Sequence, residues 1–126
     1  MISTVLIVED ETILAIALKS LFQSIGYQVI GTASTSQDAV AKTHQYHPDL
    51  IVMDINLADE KTGLDAAAEI REFSQSPIVF QTATLESNLI SRAKNFNHST
   101  VLSKTLSRMD WLEAICPFQN KMNLVA

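Results

Sequence analysis

Thr4-Val5-Leu6-Ile7-Val8 runs without interruption into Glu9-Asp10-Glu11. An uncharged run this short is a strand with both faces covered, as in a parallel sheet. The three acids that follow end it abruptly, so the strand's carboxyl end opens onto water. The same grammar recurs down the chain. Pro48 introduces Asp49-Leu50-Ile51-Val52-Met53-Asp54, and Pro77-Ile78-Val79-Phe80-Gln81-Thr82 repeats the pattern. Residues 27–33 are a weaker version, and residues 100–104 make the fifth run. Between these runs the apolar spacing changes to that of helices. Leu14, Leu18, Leu21 and Ile25 share a face and Gly26 supplies a stop. Helices are also expected over 36–46, 64–73, 86–96 and 109–116, the last ended by Pro117.

Five strands alternating with five helices predict an α/β domain with a doubly wound five-stranded parallel sheet and helices on both faces. The expected strand order is the flavodoxin-like 2-1-3-4-5. The chain's 126 residues fit one domain, placed at 1–117, with 118–126 as a tail or the start of a linker. A hydrophobic content of 47% is enough for a core. The single cysteine, Cys116, excludes an internal disulfide and suits a reducing cytoplasm. No apolar run reaches membrane-spanning length, and the N-terminus lacks a signal peptide's pattern. A net charge of −5 without clustered Lys and Arg argues against a nucleic-acid surface.

In an open α/β sheet, ligands bind beyond the carboxyl ends of the strands. Those ends carry Glu9 and Asp10, Asp54, Thr82 and Lys104. Any one of them alone reads as a turn, cap or surface residue, and Glu11 is assigned that role beside the first helix. Their joint placement is the signal. Carboxylates gathered in a crevice repel one another unless something positive intervenes. An oxygen-only set favours Mg²⁺, or Mn²⁺ in its place. A carboxylate flanked by a metal, an ammonium and a hydroxyl can act as a nucleophile toward a phosphoryl group.

Val5-Leu6-Ile7-Val8-Glu9-Asp10-Glu11, the Pro48 to Ile55 segment, Thr62-Gly63-Leu64, the Pro77 to Ala83 segment and Lys104, taken in order, resemble the receiver domain of two-component response regulators, the CheY-like family. The resemblance covers about residues 3–116. It implies that Asp54 is the phosphoacceptor, supplied by a histidine kinase or a phosphotransfer protein. It implies that Asp10 and Asp54 ligate Mg²⁺, that Glu9 does so partly through water, and that the backbone carbonyl of Asn56 adds a ligand. Thr82 and Lys104 would contact the phosphoryl group, with Ala83 small enough to leave access. Asn56 and Thr84 would tune its hydrolysis. Gly63 would serve a tight turn through positive φ. The output would be a shift of the face made by the fourth helix, fifth strand and fifth helix, toward a protein target or a second copy. The domain would be a phosphoacceptor and not an enzyme.

Three residues or segments depart from the family pattern. Val101 stands where an aromatic switch residue is common. Thr105 replaces the usual proline after the lysine, and a cis bond before Thr would cost about 2.5–4 kcal/mol, so a trans bond is expected. Residues 96–100 lack the usual small residues. These departures support an alternative: a receiver-like interaction or dimerisation module with weak phospho-switching. A flavodoxin-like flavin site is disfavoured, because Glu9-Asp10-Glu11 sits where a phosphate loop would be needed. A dedicated phosphohydrolase lacks a general base. His44, His47 and His98 form no metal-ligand pattern and read as surface or turn residues. Trp111 and Leu112 read as packing or partner-surface residues.

Overall fold

The computed structural model describes residues 3–57, 61–83 and 87–123. Its elements alternate as expected: β1 Thr4–Val8, α1 Thr12–Ile25, β2 Gln28–Ala33, α2 Ser36–Tyr46, β3 Leu50–Asp54, α3 Gly63–Arg71, β4 Ile78–Thr82, α4 Ser87–Lys94, β5 Ser99–Ser103 and α5 Arg108–Asn123. The strands form one parallel sheet in the order β2-β1-β3-β4-β5.

Because side chains alternate along a strand, each buried strand feeds two cores. Leu6, Val8, Ile51, Met53, Ile78 and Phe80 pack against Ala39 of α2, Leu64, Ala67 and Ile70 of α3, and Ala93 of α4. Val5, Ile7, Leu50, Val52 and Val79 face the other way, onto Leu18 and Phe22 of α1 and Trp111 and Ile115 of α5. Phe22 holds this second core with two edge-to-face contacts, to Tyr27 at 5.4 Å and Trp111 at 5.3 Å.

The expectation of strands covered on both faces holds for β1, β3 and β4 and fails at the edges. β2 and β5 are largely half-buried or exposed, because each has a neighbour on one side only. The helix expected to stop at Pro117 continues through it to Asn123. Pro117 and Glu113, whose carbonyl loses the intrahelical donor, are both exposed, so water can serve that carbonyl. Phe118 beyond it packs on the second core. Gly26 takes a left-handed conformation, φ 109°, and ends α1 as expected.

Candidate functional site: an acidic pocket at the carboxyl edge of the sheet

The sheet's hydrogen bonding runs one residue past β1, β3 and β5, so the carboxyl ends that carry Glu9, Asp54 and Lys104 are held in place. The Glu9 N–H donates to the Ala33 carbonyl at 2.8 Å, the Ile55 N–H to Gln81 at 3.1 Å, and the Lys104 N–H to Thr82 at 3.0 Å. Lys104 thus stands just beyond β5, one residue later than the expected strand would put it. Glu9, Asp54 and Thr82 are buried and Asp10 is exposed. One carboxylate oxygen from each of Glu9, Asp10 and Asp54 lies within 4.8 Å of the others. The Lys104 ammonium reaches into the group, 3.0 Å from Asp54 Oδ2, 3.2 Å from Glu9 Oε1 and 4.0 Å from Glu11 Oε1. Asp54 Oδ2 accepts no hydrogen bond and rests on that ion pair, while Oδ1 accepts the Asn56 N–H at 3.1 Å.

The electrostatics follow from this crowding. Burial, then the neighbouring Asp54, pushes the Glu9 carboxyl up from 4.5 to about 7. For Lys104, burial alone works against the ammonium, but pairing with Asp54 and Glu9 outweighs it and the net shift is upward. Three carboxylates with one buried oxygen lacking a hydrogen-bond donor, and no nitrogen or sulfur ligand, are a donor set that fits a hard divalent cation.

Gly63 needs a different account from the one its sequence context suggests. It opens α3, directly beneath the crevice. Among the described residues the only glycine with positive φ is Gly26. A Cβ on Gly63 would lie 2.1 Å from the Asp54 carbonyl oxygen and 3.0 Å from Met53 Cγ. The position demands close approach rather than an unusual backbone angle. Its N–H donates to the Ile55 carbonyl at 2.7 Å. Thr62 and Asp65 form a reciprocal capping box that starts α3 there.

Of the remaining candidates, Glu11 is the residue before α1 but its side chain makes no capping bond; its N–H donates to Glu9 Oε2 at 3.2 Å. Thr84 lies outside the described residues. His44, His47 and His98 are exposed, the last two at positive φ in turns. One residue escaped sequence reasoning. Gln81, buried in β4 opposite Asp54, donates its amide N–H to Glu9 Oε1 at 3.1 Å. A polar residue directly after the apolar run Ile78-Val79-Phe80 was the available signal.

Residues 5–116 match the model of the response regulator receiver domain. The chain belongs to that family. The receiver domain is 35% identical over 111 residues to the transcriptional regulatory protein PdtaR of Mycobacterium tuberculosis, covering 88% of this chain and 54% of PdtaR. It is 39% identical over 84 residues to the phyllosphere-induced regulator PhyR of Methylorubrum extorquens, covering 66% of this chain and 32% of PhyR. It therefore spans about half or less of these relatives' length. Among solved structures, the signal receiver domain of a modulated diguanylate cyclase from Desulfovibrio desulfuricans superposes with a TM-score of 0.87 at 28% identity, each chain covered completely. Among the described residues of the receiver domain, no helix is long and apolar enough to cross a membrane.

Proposed function

We propose that this receiver domain accepts a phosphoryl group on Asp54 from a histidine kinase or a phosphotransfer protein. The supporting observation is the Lys104 ammonium held 3.0 Å from Asp54 Oδ2 inside a three-carboxylate pocket. An Asp54 oxygen bonds to phosphorus as the phosphorus–nitrogen bond to the donor imidazole breaks, and the imidazole takes up a proton. The Lys104 ammonium exchanges its carboxylate partner for a phosphoryl oxygen. Thr82, at the end of β4, offers a hydroxyl to another. Asp10, Asp54 and Glu9, with the Asn56 carbonyl, would hold Mg²⁺ or Mn²⁺. When bound there, such a cation would supply charge neutralisation for the transferring oxygens.

Exposed apolar side chains flank the pocket and fit the partner's approach. Exposed Ile16 of α1 lines a cavity with Glu9 and Asp10, with exposed Ile13 one helical turn before it, and exposed Leu106 lines another cavity with Lys104. Such patches next to a reactive group mark contact surfaces. With a kinase of this kind as donor, the exchange is proposed to take place in the cytoplasm.

Acetyl phosphate with Mg²⁺ tests the reading. The chain is expected to gain one acid-stable but hydroxylamine-labile phosphoryl group, seen by mass spectrometry. Asp54→Asn is expected to abolish it while keeping the fold. Labelling that survives in Asp54→Asn would place the acceptor elsewhere.

A further inference from the structure

We propose that Gln81 is a positioning residue of the acidic pocket: its amide holds Glu9 by one oxygen, so that the carboxylate keeps its place when the Lys104 ammonium leaves for a phosphoryl oxygen. The inference rests on the divalent-cation reading of the pocket and adds a residue to it.

Gln81 is the penultimate residue of the interior strand β4, in register with Asp54, and the preceding Ile78, Val79 and Phe80 are apolar and fully buried. A buried primary amide costs about 1–3 kcal/mol unless it is bonded. Its side-chain bond goes across the sheet to Glu9 Oε1 at 3.1 Å, from a residue 72 positions away in sequence. It also lines a cavity together with Leu14 and Leu18 of α1 and with Lys104, Thr105 and Leu106. An apolar residue would suit that setting better, so the amide is there for the carboxylate.

The donor count shows the consequence. Glu9 Oε1 accepts the Gln81 amide N–H and is ion-paired with the Lys104 ammonium at 3.2 Å. Oε2 has the Glu11 N–H at 3.2 Å and Lys104 at 3.4 Å. Lys104 is shared with Asp54, so any movement toward a ligand on Asp54 takes a hydrogen bond from Oε2 and an ion pair from Oε1. The Glu11 N–H then remains on Oε2, and only Gln81 remains on Oε1. Two neutral donors on opposite oxygens fix the carboxylate plane; one leaves it free to rotate. Loss of the amide would also leave Oε1 dependent on Lys104, drawing the ammonium toward Glu9 and into competition with a cation.

The test compares full-length wild type with Gln81→Met, which keeps length and volume without the donor, and with Gln81→Leu. Titration calorimetry gives the Mg²⁺ dissociation constant, and circular dichroism gives the unfolding midpoint. Removing a group that orients a ligand typically costs tenfold or more in affinity, so Mg²⁺ binding in Gln81→Met is expected to weaken about tenfold. Its labelling by acetyl phosphate should shift to correspondingly higher Mg²⁺ and recover at saturation. A changed midpoint with an unchanged Mg²⁺ constant in both variants would overturn the inference and leave Gln81 a packing residue. A wild type that binds no Mg²⁺ overturns the cation reading, and the inference with it.

Discussion

Glu9 carries two burdens at once, loss of water and a carboxylate neighbour, and both favour its neutral form. Its pKa is raised from 4.5 to about 7, so the folded chain binds this proton more tightly than the unfolded chain does. The stability that proton confers is complete below about pH 4.5 and is lost as pH rises through about 7. The shift corresponds to up to about 3 kcal/mol. Lys104 has the same sign, but its contribution disappears only as pH rises through a value above 10.5. Metal-free protein is therefore expected to lose urea resistance between pH 5 and 8, and Glu9→Gln to lose much less. A parallel decline in Glu9→Gln would show that another group titrates. Glu9, Asp10, Asp54 and Lys104 were legible in the sequence because strand ends converge whatever the details of packing. Gln81 was not, since a polar residue in a strand names no partner until the fold brings Glu9, 72 positions away, within reach of its amide.

At the level of elements, the site depends on how closely α3 approaches β3. The start of α3 is pinned by the Thr62–Asp65 capping box and by the Gly63 N–H on Ile55. Gly63→Ala would drive a Cβ to 2.1 Å from backbone that cannot swing aside. Overpacking of this kind costs about 1–3 kcal/mol, and the rigid neighbour puts the cost near 3. The urea midpoint is expected to fall accordingly, with slower labelling of Asp54 by acetyl phosphate as the strand end is displaced. A variant with wild-type stability would mean that α3 can back away at no cost. The motif Thr62-Gly63-Leu64 pointed to this glycine, but its reason required coordinates, because close approach and positive φ both select for Gly. The length of α5 was illegible for a related cause. Pro117 reads as a stop in one dimension, and only the exposure of Glu113 and the packing of Phe118 show why the helix can pass it.

Across the whole molecule, the question is how an event at Asp54 reaches a partner when Val101 offers no ring to swing. Val101 lies half-buried against the core that contains Phe80, as Phe96 does. The Lys104-Thr105 turn is better connected. Its peptide bond is trans, and the Thr105 carbonyl accepts the indole N–H of Trp111 at 2.9 Å. The Thr105 hydroxyl donates to Asp110 at 3.2 Å and accepts the Ser107 N–H at 3.0 Å. These bonds tie the residue after Lys104 to the first turns of α5, a role proline could not fill with its side chain. A ligand on Asp54 that draws Lys104 inward pulls on Thr105 and hence on Trp111, the chain's only tryptophan. Beryllofluoride with Mg²⁺ is therefore expected to change Trp111 emission in proportion to occupancy, and Asp54→Asn to abolish the change. Lys104→Ala should still bind the anion, more weakly, while losing most of the emission change even at saturation. Constant emission with amide NMR shifts centred on Val101 would route the signal through β5 instead. Labelling at Asp54 that leaves both places unmoved would favour the interaction module over the switch, because a site coupled to neither α5 nor β5 has no described path to that face.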